Sequence, residues 1–155
     1  MRENQIILCQ YPVDNVPRRS DILLPGPPAR DIVAYILAQL TPRLVTFSEN
    51  ARLATGLFMS VIHDSTEADI AFNASRRSDA GKYVSPAAFR QTLPSSPAAQ
   101  LSIALGLGGP MVVFCGDVDG SQALAGACRW LESGAIHTAV VVHPRSGQTA
   151  MTPSL

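Results

Sequence analysis

Residues 106–142 read GLGGPMVVFCGDVDGSQALAGACRWLESGAIHTAVVV, and their pattern predicts the fold class. Two continuous apolar runs, Met111–Cys115 and residues 138–142, are typical of strands buried on both faces of a sheet. The segment between them, residues 121–133, is rich in alanine and glycine and predicts a helix pressed closely between layers, ended by Gly134. A strand, a helix and a strand in this order predict an α/β fold.

The elements expected before residue 106 extend the same alternation of strands and helices. Pro42 is expected to close one helix and to open the next, with Thr41 as the N-cap. The order strand, helix, helix, strand, helix, strand, helix, strand predicts a central mixed sheet with helices packed on it. The upstream strands are expected at residues 5–11 and 68–73, and the upstream helices at residues 31–40, 42–61 and 97–107.

Length and composition indicate one soluble domain over residues 1–155. The chain is 46% hydrophobic, which is enough for a core, and its 12 basic residues balance 12 acidic ones. That balance argues against a nucleic-acid interface or a polybasic membrane patch. Residues 1–30 are expected to form an extended arm and residues 144–155 a flexible tail.

The cysteines and histidines suggest neither a disulfide framework nor a metal site. Three cysteines occur without a CxxC pair, and His63, His137 and His143 follow no metal-ligand spacing. We therefore expect no cofactor and no metal, and surface or loop positions for the histidines. The absence of a signal-peptide pattern and of a long apolar stretch leads to the expectation of a cytoplasmic protein with no membrane contact.

Polar residues between the strand and the helix form the candidate site. Cys115, Asp117 and Asp119 are the candidate catalytic residues, and Ser121 stands at the start of the helix. Asp117, Asp119 and Ser121 could hold a proton or a cation, or they could simply cap the helix. Cys115 is either a catalytic thiol or a structural thiol that packs as a small apolar group.

Three stretches together resemble the N-terminal half of β-ketoacyl synthases of the thiolase-like superfamily, and in particular the shorter ketosynthase-like relatives of polyketide and pigment pathways. The first is RLVTFSENARLA at residues 43–54. The second joins VSPAAF at residues 84–89 to the helix that ends in GLGGP. The third is the strand, turn, helix and strand of residues 111–142.

The resemblance implies half of a thiolase-like fold without its catalytic machinery. In the family, a cysteine nucleophile starts the buried helix, but the matching position falls at Asp117 or Val118, and neither residue forms a thioester. The family's histidines come from a second half, which this chain is expected to lack. The resemblance therefore implies a non-catalytic accessory protein, similar to a chain-length factor, in polyketide or fatty-acid-type biosynthesis.

The resemblance also implies partners and an alternative activity. Arg76 and Arg77 are candidates for contact with an acidic acyl carrier protein, or they are solvated loop residues. Phe89 and Ser121 are candidates for substrate contact. The alternative is an enzyme that performs acyl transfer, cyclisation or dehydration of a carrier-bound β-keto intermediate with Cys115, Asp117 or Asp119. The strand expected to pair across a homodimer, or a heterodimer with a ketosynthase, contains Met111, Val112, Val113 and Phe114.

Overall fold

A computed structural model describes residues 4–12, 29–62, 66–78 and 84–145, and it confirms the α/β class. Within those ranges the chain forms four strands and six helices. The strands are β1 (Gln5–Pro12), β2 (Thr55–Val61), β3 (Met111–Cys115) and β4 (Thr138–Arg145). The helices are α1 (Ala29–Leu44), α2 (Glu49–Leu53), α3 (Thr66–Ser78), α4 (Pro86–Gln91), α5 (Ser96–Leu105) and α6 (Ser121–Glu132).

The four strands form one sheet in the order β1-β4-β2-β3, and every neighbouring pair is parallel. The expected mixed sheet is therefore a parallel sheet in the described part of the chain. The physical reason is the connection between strands: each one contains at least one helix, which returns the chain to the end of the sheet where the previous strand began. All four strands thus direct their carboxyl ends to the same edge.

The helices cover the two faces of the sheet unequally. Helices α1 and α5 pack on one face, which we call the α1 face. On the other, which we call the α6 face, α6 is the one helix of the described ranges that packs there. The central strand β2 is buried at all seven positions because it has a neighbour on each side and a helix on each face. The core of the α1 face includes Ile36, Leu40, Leu57, Met59, Leu101, Val140 and Val142, and that of the α6 face includes Phe58, Ala123, Ala127, Leu131, Ala139 and Val141.

Two predicted elements have the wrong type. Residues 55–61, expected to continue a helix, are strand β2, whose continuous apolar run satisfies burial on both faces of a sheet as well as it satisfies helical spacing. Residues 68–73, expected as a strand, lie inside α3, which packs against α4 through Phe72. In both cases, packing against other elements of the fold decides the secondary structure, and the local sequence pattern does not.

Two helix boundaries also differ from expectation. Pro42 lies inside α1 rather than at its end, and Thr41 is a helical residue rather than a cap. Pro42 has no N–H to donate to the carbonyl of residue 38, so the last turns of α1 lack one helical hydrogen bond, and the helix ends two residues later at Leu44. Gly106 does end α5, in the left-handed conformation with φ 65°.

The outer parts of the sheet refine three further expectations. Strand β3 lies at the sheet edge and is only partly buried, because its second side has no strand beside it among the described residues. Residues 5–12 of the expected arm form strand β1, and residues 144 and 145 of the expected tail complete β4. The rest of the arm up to residue 28, and residues 146–155, fall outside the described ranges. No helix in those ranges is long and apolar enough to cross a membrane.

Candidate functional site

The candidate site lies where the loop after β3 turns into α6, at the carboxyl edge of the sheet. Gly116 and Gly120 both adopt positive φ, 76° and 77°, which allows the five-residue loop to reverse direction sharply. The reversal turns Asp117 inward, where it is 2% exposed, and leaves Asp119 and Ser121 exposed. In parallel α/β sheets, ligands characteristically bind at this edge.

Two carboxylates cap the start of α6. The N–H of Ser121 donates to Oδ1 of Asp119 over 3.0 Å, and the N–H of Gln122 donates to Oδ1 of Asp117 over 3.2 Å. The N–H of Ala123 donates to Oδ2 of Asp117 over 3.0 Å. The first three backbone donors of the helix therefore have protein partners, and the place where a helix could bind an external anion is occupied by the chain's own carboxylates.

A buried hydroxyl ties this cap to the sheet. Ser60 of β2 is fully buried, and its hydroxyl donates to Oδ2 of Asp117 over 2.6 Å. On the other side of the strand, the phenol of Tyr11 donates to the backbone carbonyl of Ser60 over 2.9 Å. Burial raises the pKa of Tyr11 to about 12, against the smaller opposing effect of a backbone hydrogen bond with Ile62. Asp117, Ser60 and Tyr11 thus connect α6, β2 and β1.

Asp119 differs from Asp117 in both exposure and chemistry. Its side chain is fully exposed, and hydrogen bonds from the hydroxyl and the backbone N–H of Ser121 lower the pKa of its carboxyl group. Asp119 therefore stays ionised at neutral pH and is open to solvent. Asp119 thus caps the start of α6 while its carboxylate remains accessible to solvent.

His143 lies beside the same loop at the end of β4. Its Nδ1 is 3.0 Å from the carbonyl oxygen of Pro144, which can only accept, so we assign the ring proton to Nδ1. Nε2 then accepts from the amide of Gln10 over 3.4 Å. Gly120 packs directly on the ring: a Cβ at that position would lie 2.6 Å from Cβ and Cγ of His143. His143 was expected at a surface or loop position, but it is half-buried and lies within β4.

Cys115 is not directed at the start of α6. It is exposed and alternates with Phe114, which packs into the core of the α6 face, so the thiol belongs to the opposite side of the strand. Cys128 is half-buried on α6, and Cys9 is buried in β1. Burial raises the pKa of the Cys9 thiol, and the nearby charge of Arg43 lowers it in part.

The remaining candidates lie elsewhere. Phe89 of α4 packs against Phe72 of α3, with ring centroids 5.5 Å apart and the rings tilted by 54°. Ser121 is exposed at the start of α6, so the two proposed substrate contacts lie on different elements. Arg76 and Arg77 are exposed in the last turn of α3 and are helical, not loop, residues. The arginines and Phe89 therefore share the α3–α4 unit.

Other surfaces of the described chain offer less chemistry. A depression lined by Gln5, Phe47, His137 and Thr138 lies at the amino ends of β1 and β4, opposite the candidate site. Within residues 4–12, 29–62, 66–78 and 84–145, no group of three or more His, Cys, Asp or Glu side chains could hold a metal ion. Comparison with known proteins gave no match, neither to a protein-family model nor to a curated protein.

Proposed function

We propose that this chain is a non-catalytic, ketosynthase-like accessory protein of polyketide or fatty-acid-type biosynthesis, working with an acyl carrier protein, a ketosynthase or both. The sequence resemblance motivates the family. The observation that carries the non-catalytic role is the start of α6, where Asp117 and Asp119 occupy all three of the first backbone donors.

A condensing enzyme needs the opposite arrangement at this position. Free backbone N–H groups and the positive end of the helix dipole lower the pKa of a cysteine and stabilise an oxyanion. Here a carboxylate accepts two of those bonds, and its negative charge disfavours a second anion. Cys115, the cysteine that precedes α6 in the chain, alternates with Phe114 and so lies on the opposite face of β3 from α6. This geometry supports scaffolding rather than acyl transfer.

The edge of β3 supports the proposed partnership. The N–H of Leu57 in β2 donates to the carbonyl of Pro110, so in the parallel ladder Met111, Val113 and Cys115 direct their backbone groups away from β2. A strand whose outward groups lack a neighbouring strand favours pairing with another chain. We propose that Met111, Val112, Val113 and Phe114 meet either a second copy or a ketosynthase there.

Co-purification tests the proposal. The tagged chain is co-expressed with the ketosynthase and the acyl carrier protein encoded nearest to it, and we expect at least one of them to be retained. The matched variant Val113→Pro removes one outward N–H and should release a ketosynthase bound at β3. Retention of neither protein by the wild type would overturn the proposal.

A second candidate function is an enzyme of altered chemistry. The specific observation in its favour is Asp119, an exposed carboxylate of lowered pKa beside the Ser121 hydroxyl at the carboxyl edge of the sheet. Incubation with carrier-bound acyl thioesters separates the two candidates. Turnover that falls in Asp119→Asn or Cys115→Ala supports an enzyme, whereas no turnover by the wild type removes this candidate.

A further inference from the structure

Strand β1 lies at an edge of the sheet formed by the described strands. Residues 5–11 read QIILCQY, with no charge and no proline, which is the composition of segments that stack into intermolecular sheets. The strand pairs with β4 alone among the described strands, and its Ile6 and Leu8 side chains are 38% and 47% exposed on the α6 face. Such an edge is a hazard that proteins normally block.

The hydrogen-bond register shows which groups of β1 face outward. The N–H of Gln5 donates to the carbonyl of His137 over 3.0 Å, so odd-numbered residues of β1 bond to β4. The backbone groups of Ile6, Leu8 and Gln10 therefore point away from the sheet. One outward carbonyl has a partner from the last turn of α1: Nη1 of Arg43 donates to the oxygen of Leu8 over 2.6 Å.

Leu8 is the centre of the outward-facing set. If a second β1 paired with this edge in antiparallel fashion, two-fold symmetry about Leu8 would place Leu8 opposite Leu8 and Ile6 opposite Gln10. Every outward group would then find a partner, so the strand is complementary to itself. The obstacle is Arg43, because the guanidinium groups of both copies would occupy the symmetry centre and repel each other.

We propose that Arg43 prevents the edge of β1 from pairing with β1 of a second copy of this chain. The guanidinium group of Arg43 occupies the carbonyl of Leu8 and places a positive charge beside an uncharged strand. Both effects block the approach of a second β1 strand. In the described part of the chain, no basic side chain reaches an outward carbonyl of β3. The β1 edge of the sheet is therefore blocked by an arginine, whereas the β3 edge is not. The inference does not depend on the ketosynthase-like proposal.

Substitution of Arg43 tests the proposal. Arg43→Ala removes the side chain, and Arg43→Met keeps the aliphatic stem while removing the charge and the donors. Sedimentation velocity should show species larger than the wild-type assembly, in proportions that grow with concentration. Arg129→Ala, which removes an exposed arginine from α6, should sediment as the wild type does.

A second substitution identifies the surface that associates. Leu8→Lys restores a charge to β1 without restoring the Arg43 bond, so the double variants should return to the wild-type sedimentation profile. Circular dichroism separates association of folded chains from unfolding. The proposal is overturned if folded Arg43→Met sediments like the wild type, or if Leu8→Lys leaves the larger species of either Arg43 variant unchanged.

Discussion

Ser60 and Asp117 lie 57 residues apart in the chain, and the hydroxyl of Ser60 donates to Oδ2 of Asp117 over 2.6 Å in a fully buried contact. The same carboxylate caps α6, so one side chain joins the helix to the central strand. Hydrogen bonds to charged groups in buried positions are among the stronger ones in proteins. The contact gives a structural role to Asp117, which the sequence had offered as a candidate catalytic residue.

Asp117→Ala should lower the free energy of unfolding by about 2–4 kcal/mol, because it removes a helix cap and leaves the Ser60 hydroxyl buried without its acceptor. Urea denaturation followed by circular dichroism measures the change. Asp119→Ala, which removes only the exposed carboxylate, is the control and should cost less. Equal losses in the two variants would contradict the assigned roles.

Gly120→Ala should destabilise the fold more than Gly134→Ala does. Both glycines have positive φ, 77° and 72°, so alanine at either costs about 1–2 kcal/mol of backbone strain. Only Gly120 has a neighbour in the way, because its Cβ would fall 2.6 Å from His143, whereas Gly134 has open space. Thermal unfolding of both variants measures the difference, and a shifted His143 ring resonance would locate its cause.

Tyr11 should make the fold sensitive to alkaline pH. Burial raises its pKa from 10.0 to about 12, so the folded state favours the neutral phenol. The contribution of Tyr11 to stability is therefore complete below pH 10.0 and is lost as the pH rises through about 12. Denaturation at a series of pH values should show a shallower alkaline decline for Tyr11→Phe. Tyr35→Phe, which removes an exposed phenol from α1, is the matched control for the loss of a phenol.

The three cysteines should react with maleimide in the order of their exposure. Cys115 is exposed, Cys128 is half-buried and Cys9 is buried with a raised pKa, so Cys115 should be modified first and Cys9 only after unfolding. Peptide mass spectrometry over a time course gives the order. Cys115→Ser should abolish the fastest phase, and early modification of Cys9 would contradict its burial in β1.

Val113→Pro should abolish a β3-mediated dimer without unfolding the chain. The N–H of Val113 points away from β2, so its loss spares the β2–β3 ladder, whereas Val112→Pro removes an inward donor and should destabilise the fold. Analytical ultracentrifugation with circular dichroism distinguishes the two effects. A wild-type chain that is monomeric at micromolar concentration would exclude the homodimer.

The sequence predicted β3, α6 and β4 because each has a pattern that admits one interpretation. An apolar run bounded by Gly-Pro and Gly-Asp is a strand, and a small-residue segment ended by Gly134 is a helix. Strand β2 was missed because Leu57, Phe58 and Val61 also satisfy helical spacing. Only the neighbouring strands, which are far away in the chain, select the strand.

The candidate site was predicted only in part, because sequence patterns reveal local contacts but not contacts between residues far apart in the chain. Capping by Asp117 and Asp119 is a local relationship with α6, and it was considered from sequence. Ser60 could not be found, since it lay in a segment expected to be helical and its partner is 57 residues away. His143 acquires its environment only when β4 pairs with β1 and the loop brings Gly120 onto its ring.

The double role of Asp117 limits how this molecule could be redesigned or could evolve. Introducing a nucleophile or an anion-binding pocket at α6 requires the backbone donors to be released, and the only way to release two of them is to remove Asp117. The same substitution deprives Ser60 of its acceptor and loosens the helix. Gain of activity and loss of stability would therefore arrive in one step, and an engineer would have to add stability elsewhere first.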